Sequence, residues 1–234
     1  MALLMSNGVV ERRIFVVIAA YNEAGAIREV VDGLKAKYSN VVVVDDGSTD
    51  KTAAALAGSG VFLLRHMVNR GQGAALQTGI QFAVRQGAEV VVTFDADGQH
   101  DAEDIPALVA PVLSGDCDVA LGSRFLLAGA EVPLIRRLVL KSGVLFTRIV
   151  SRVRISDTHN GFRAFSRRAA SELRIALDRM AHASEIIDQI RENRWRYREV
   201  PVRIHYTEYA MNKGQSSWNA FRIASQFLFR KITR

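Results

Sequence analysis

The sequence predicts an α/β fold built on a mostly parallel sheet, and two observations carry that prediction. Over the first 125 residues, apolar runs of strand length alternate with helical patterns, and the strand runs are rich in Val and Ile without polar alternation. Such runs belong to strands covered on both faces, the condition of a parallel sheet with crossover helices. Polar residues then gather where the runs end, which is the edge at which open α/β sheets bind ligands.

The elements follow in order. RIFVVIAA (13–20) is the first strand, Ala24 to Tyr38 a helix, NVVVVDD (40–46) the second strand and Thr49 to Ala57 a short helix. VFLLR (61–65) is the third strand, Gly73 to Gln86 a helix and EVVVTFD (89–95) the fourth strand. Tyr21, Asn22 and Glu23 follow the first strand, Asp45 and Asp46 end the second, and Asp95, Asp97 and Gln99 close the fourth. Any one cluster is ordinary turn and helix-capping chemistry. Three of them on one sheet edge point to a site. NRGQGAAL (69–76) is a Gly-rich turn opening a helix; it could bring backbone N–H groups to a phosphate or simply let the helix pack closely. The two common nucleotide fingerprints, GxxxxGK[ST] and GxGxxG after the first strand, do not occur.

With 234 residues, 49% of them hydrophobic, the chain can bury one sizeable core, and residues 1–234 are read as a single domain. Its lone Cys117 excludes an internal disulfide framework and suits a small core position in a reducing compartment. No run approaches the ~18 apolar residues of a membrane span, and MALLMSNGVVERR has too short an apolar patch for a signal peptide. The expectation is therefore a cytoplasmic protein that is not itself integral to a membrane.

The net charge of +7 hides an asymmetry. Residues 1–133 carry 10 basic and 16 acidic side chains, residues 134–234 carry 21 and 8. An acidic half with carboxylates at strand ends suits a metal; a basic half suits phosphates or an anionic membrane surface. The stretch 136–154 holds six basic residues and no acid. As a helix it would place Lys141, Arg148 and Arg152 on one arc and Phe146, Ile149 and Val150 on the other. WNAFRIASQFLFRKITR (218–234) repeats the pattern. Two basic amphipathic helices favour a membrane surface or a membrane-protein partner over two solvated helix faces. A nucleic-acid-binding module is disfavoured, because the arginines are not interleaved with stacking aromatics and the acidic half would repel a phosphate backbone.

Asp95 and Asp97 stand two residues apart at a strand end and repel one another unless a cation lies between them. Their oxygens, with the Gln99 side chain, suit Mg²⁺ or Mn²⁺, ions that keep waters and bind substrate phosphates. Two carboxylates opposed across a glycoside would instead stand about 5–9 Å apart. Zinc is disfavoured by five histidines without paired spacing and one cysteine.

These residues carry a resemblance. AAYNEAGAI, VVVVDDGSTDKT, NRGQGAALQTGI, FDADGQH, LGSRF and DTHNGFRAFSR follow one another over residues 13–168. In that order and spacing the chain resembles the family 2 inverting glycosyltransferases, above all those acting on dolichyl and bacterial polyprenyl phosphates. The resemblance implies the nucleotide-diphospho-sugar transferase (GT-A) fold and a nucleotide-sugar donor of the GDP or UDP type. It implies a nucleotide-sugar and metal half at 10–125 and an acceptor and membrane-surface half at 126–234. Donor contacts would come from Ala20, Tyr21, Glu23, Val44, Asp46, Arg70, Asp95, Ala96 and Lys213 of the 206–217 loop. Asp95, Asp97 and Gln99 would hold the ion, Arg124 would meet donor or acceptor phosphates, and Asp97, Arg124 and Asp157 would form the catalytic set.

Departures bear on the same positions. Ala20 stands where the family commonly has Pro, the stretch from Arg136 does not reproduce the family's arginine and serine spacing, so that Arg136 and Arg137 are only candidates, and membrane-spanning C-terminal helices are missing. QxxRW, the mark of processive synthases, does not occur: Gln189 lies five residues before Arg194. The layout suits a peripheral enzyme on the cytoplasmic face of a membrane, docked on a small membrane partner, moving one sugar to a polyprenyl phosphate. The alternative acceptor, a hydroxyl of a glycan or glycolipid, would require a general base, for which Asp157 or Glu185 is available, unless these are an N-cap and a solvated helix face.

Overall fold

A computed structural model describes residues 14–127, 153–158, 160–176 and 182–205. In chain order the elements are β1 (Ile14–Ala20), α1 (Ile27–Lys35), β2 (Asn40–Asp45), α2 (Thr52–Ala55), β3 (Phe62–Arg65), α3 (Gln72–Arg85), β4 (Val90–Asp95), α4 (Ile105–Leu113) and β5 (Val119–Ser123). Then follow β6 (Arg163–Ser166), α5 (Arg167–Glu172), α6 (His182–Glu192) and β7 (Tyr197–Pro201). Single 3-10 turns precede α4 (Ala102–Asp104) and follow β5 (Arg124–Leu126).

The strands form one seven-stranded sheet in the order β3-β2-β1-β4-β6-β5-β7. Every neighbouring pair is parallel except the two that involve β6, which runs antiparallel to β4 and β5. Alternate side chains of β1 go to opposite faces. Val16 and Ile18 pack with α1 and α4, while Phe15 and Val17 pack with α3 and the helices that follow β6. Each fully buried Val or Ile contributes roughly 1.5–3 kcal/mol of transfer free energy, so this double covering holds the sheet together. At Gly79 in α3, a Cβ would sit 2.4 Å from a Val17 methyl, so the helix lies against the sheet at a distance only glycine permits.

β3 departs from the expectation of a strand covered on both faces. It is the sheet edge, with Phe62 and Leu63 exposed, although Phe62 still packs its ring against Phe15 and Phe82. The predicted helix 136–154 reaches the described residues only at Val153 and Arg154. Both are irregular, and Val153 is buried in the core. The rest of that stretch, the 206–217 loop with Lys213, and 218–234 lie outside the described residues.

The antiparallel strand decides what reaches the site edge. Parallel strands deliver the residues that follow them to their carboxyl ends; β6, reversed between β4 and β5, delivers the residues that precede it. Gly161 therefore meets Asp95 at the end of β4, and Asp157 meets Arg124 just after β5.

Candidate active site

The first wall of the site is two loops joined by side-chain hydrogen bonds. Asn22, at φ 54°, accepts from the Thr49 amide at 2.9 Å through Oδ1, and its own N–H donates to Ser48 Oγ. The Glu23 amide donates to Thr52 Oγ1 at 2.8 Å. Tyr21 is exposed beside this junction. Ala20 is buried at the strand end, where its carbonyl accepts from the Asp46 amide. The side chain of Val44 is buried in the core against α3, so only its backbone could face a donor.

Asp45 and Asp46 divide the work. Asp45, fully buried, accepts from the Ser48 amide and from Arg65 Nε, which fixes the DDGS turn. Asp46 accepts from His66 Nδ1 at 2.6 Å, from the Arg70 amide at 3.0 Å and from the Gly71 amide at 2.7 Å. Its carboxylate is 3% exposed, so it grips the NRGQG loop rather than lying open to a nucleoside. Two glycines make the contact possible. Gly47 has φ 71°, and a Cβ there would sit 2.6 Å from the Val68 carbonyl carbon; Gly71, at φ 92°, turns the loop into α3. Arg70 is exposed next to this turn.

The carboxylate pair stands at the centre of the edge. Asp95 accepts from His100 Nε2 at 2.9 Å and from Gln72 Nε2 at 3.2 Å, and its side chain is 30% exposed. Burial alone would raise its carboxyl, but His100, His182 and Arg163 outweigh that and hold it below the usual range. Asp97 goes the other way: burial and then the charge of Asp95 push it up, against the Gln99 amide that donates to Oδ1 at 3.0 Å. One carboxylate settled as an anion beside another that resists ionisation is a pair short of positive charge. Among the described residues no group of three or more His, Cys, Asp or Glu side chains is arranged to hold a metal ion by itself. The donor set is thus two carboxylates with Gln99 beside them. This fits a hard divalent cation that completes its shell with water and phosphate oxygens. Ala96, between the acids, is buried.

The far wall belongs to the loop before β6. Arg124 Nε donates to Asp157 Oδ2 at 2.6 Å, with the side chains 8% and 1% exposed. Arg124 is therefore not the open phosphate-facing cation expected from the sequence; its charge is matched below the surface. Arg163, also buried, donates from Nε to the Asn160 carbonyl at 3.1 Å and from Nη2 to the Thr158 carbonyl at 3.2 Å. Burial pulls its guanidinium down to about 10, a shift offset in part by Asp95 and Asp157. Gly161 lies against Asp95 so closely that a Cβ would fall 2.6 Å from Asp95 Oδ2. Four buried side-chain atoms lack a hydrogen-bond partner among the described residues: Asp157 Oδ1, Thr158 Oγ1, Asn160 Nδ2 and His100 Nδ1. Native interiors leave few such atoms, and their grouping on the loop and beside Asp95 is the mark of a site.

Glu185 differs from a solvated helix face. It is buried and accepts from the Ala176 amide at 3.0 Å. His66, His100, Gly161 and Arg163 carry parts of the site that sequence reasoning left unassigned. For His100 a signal was available, a histidine in register behind the DAD acids. For Arg163 none was, because its role depends on the reversed strand.

A family model described as "Glycosyl transferase family 2" matches residues 15–174. A UDP-N-acetylglucosamine–dolichyl-phosphate N-acetylglucosaminyltransferase of Methanococcus voltae is 30% identical over 244 residues, covering 95% of this chain and 97% of the relative. A polyprenol monophosphomannose synthase of Mycolicibacterium smegmatis is 30% identical over 224 residues, covering 91% and 84%. Among solved structures, the glucosyl-3-phosphoglycerate synthase of Mycobacterium tuberculosis, in complex with Mn²⁺, UDP and glucosyl-3-phosphoglycerate, superposes with a TM-score of 0.69 at 20% identity, covering 97% of this chain and 83% of that one. That likeness establishes the GT-A glycosyltransferase fold. With a family match over most of the chain and relatives aligned nearly end to end, this chain belongs to glycosyl transferase family 2 and is a glycosyltransferase.

Proposed function

We propose that this chain moves one sugar from a nucleotide-diphosphate sugar to a polyprenyl phosphate, with inversion at the sugar C1, at the cytoplasmic surface of a membrane. The observation that carries the choice of acceptor is the state of the two carboxylates available as general bases. Asp157 is salt-bridged to Arg124 and Glu185 accepts from the Ala176 amide, both beneath the surface. An acceptor hydroxyl needs a base within reach; a lipid monophosphate is already an anion and needs none. The names of the two relatives share this acceptor class while differing in the sugar.

In this reading the donor half, 10–125, holds the nucleotide between Tyr21, Glu23 and the loop that Asp46 fixes, with Arg70 beside the diphosphate. A divalent cation, Mg²⁺ or Mn²⁺, held by Asp95, Asp97 and Gln99, would supply Lewis-acid stabilisation of the leaving diphosphate. The acceptor oxygen attacks C1 from the face opposite the diphosphate, the C1–O bond breaks, and its electron pair leaves with the diphosphate. No proton moves. His100 and Gln72 keep Asp95 in place during the step, and the Arg124–Asp157 pair fixes the acceptor wall. Lys213 and the basic segments of the 126–234 half would meet the lipid phosphate and the membrane surface, with or without a small membrane-protein partner. Among the described residues no helix is long and apolar enough to cross a membrane.

A second reading, transfer to a hydroxyl of a glycan or glycolipid, is favoured by one feature: Asp157 Oδ1 has no partner among the described residues. Incubation of the protein with membranes and a panel of radiolabelled nucleotide sugars tests the proposal. Label should enter a lipid that mild acid cleaves; label found only in acid-stable glycan would favour the second reading.

A further inference from the structure

We propose that Arg163 is a positioning residue for the cation site. Its guanidinium ties down the Thr158 and Asn160 carbonyls and so helps set Thr158, Asn160 and Gly161 as the back wall that holds Asp95. The inference rests on the assignment of Asp95 and Asp97 to a divalent cation.

The geometry runs from strand to site in four contacts. Arg163 pairs with Thr93 across β4 and with Leu121 across β5, so it is anchored on both sides at the start of the reversed strand. From there its planar fork reaches two carbonyls of the preceding loop, at 3.1 and 3.2 Å. Thr93 Oγ1 adds a third tie by donating to the Gly161 carbonyl at 2.6 Å. Gly161 then meets the Asp95 carboxylate with no room for a Cβ, its ideal position falling 2.6 and 2.7 Å from the two oxygens. The same loop carries Asp157, which holds Arg124. One buried cation thus sets the distance between the carboxylate on the donor side and the ion pair on the acceptor side. A buried guanidinium that donates to two carbonyls, with Asp95 and Asp157 nearby, is costly to keep unless it orders something.

Charge and position make opposite forecasts, which makes the proposal testable. By charge alone, removing a buried cation beside Asp95 should strengthen the attraction for a metal ion. By position, it should weaken binding. The probe is Mn²⁺ alone, titrated into the whole chain and followed by water-proton relaxation, with circular dichroism and thermal melting to confirm that each variant is folded. Arg163→Lys keeps the charge but cannot hold two carbonyls in one plane, and Arg163→Met removes the charge. Both should raise the Mn²⁺ dissociation constant about 10-fold or more, the usual effect of losing a partner that orients a metal ligand. Should either fail to fold, Gly161→Ala decides, because its methyl group must displace the loop or the Asp95 carboxylate; the same loss of affinity is expected. Wild-type affinity kept within about twofold by Arg163→Lys or Gly161→Ala, or tighter binding by Arg163→Met, overturns the role of Arg163. If the wild type itself binds no Mn²⁺, the cation assignment fails and this inference fails with it.

Discussion

Arg124 and Asp157 form a buried ion pair in the far wall of the site, Nε to Oδ2 at 2.6 Å. Breaking such a pair from one side strands a charge in a poorly solvated place. Asp157→Ala should therefore cost about 3 kcal/mol of unfolding free energy in urea denaturation. Arg124→Lys keeps the charge but not the planar donor, so it should cost less stability and still lower kcat/KM by about 10-fold or more. A Lys variant with wild-type kinetics would reduce Arg124 to a counterion for Asp157.

The carboxylate pair makes a prediction with a sign. Asp97 is raised by burial and by the charge of Asp95, so the folded protein holds its proton more tightly than the unfolded chain does. The repulsive cost is missing at low pH, where Asp97 is protonated, and grows as pH rises through the ordinary carboxylate range to its raised value. Asp97→Asn should thus stabilise the metal-free protein at pH 7 by about 1 kcal/mol while abolishing transfer. The gain in thermal melting should fade towards pH 4. An equal or lower Tm at pH 7 would show that the pair is not strained without a cation.

In the proposed reading, Asp46 acts on the donor through the loop it grips. Asp46→Asn puts an amide nitrogen where an oxygen now meets either His66 and the Arg70 amide or the Gly71 amide, at a cost of about 2 kcal/mol in stability. The donor KM should rise more than kcat falls, since the loop serves ground and transition states alike. An unchanged KM would separate this loop from the donor.

Much of this was legible in the sequence, and the physical reason is local. β1, β2 and β4 are built on apolar runs rich in β-branched residues, and their predicted spans 13–20, 40–46 and 89–95 agree with the observed strands within a residue at either end. Helix starts were less legible. The helix expected from Ala24 begins at Ile27; residues 24–26 form a turn, and the Glu23 and Ala24 amides donate to Thr52 at the start of α2 and to Asp50 just before it. Contacts that depend on topology were not legible at all. DTHNGFR reads the same whether the strand after it runs parallel or antiparallel, yet only the reversed β6 brings Gly161 to Asp95 and Arg163 behind it. The burial of Arg124 likewise depends on Asp157, 33 positions away.

Membrane attachment is a prediction from residues outside those described. Each basic side chain near an anionic surface contributes about 1 kcal/mol, so neutralising Arg148 and Arg152 together should lower partitioning onto anionic liposomes roughly 30-fold at low salt. Slow hydrolysis of the nucleotide sugar should persist, because it needs only the donor half. Liposome recovery that ignores the double substitution would move the membrane contact elsewhere on the chain.

The most direct measurement compares two lipids that differ by one group. Purified protein, with the nucleotide sugar that labels membranes best, is offered a polyprenyl phosphate and the matching polyprenol in separate liposomes, with Mn²⁺ and with excess chelator. Transfer to the phosphate, lost in chelator and not seen with the alcohol, is the predicted result. Equal transfer to the alcohol or to a water-soluble sugar would contradict the account and make Asp157 or Glu185 a working base.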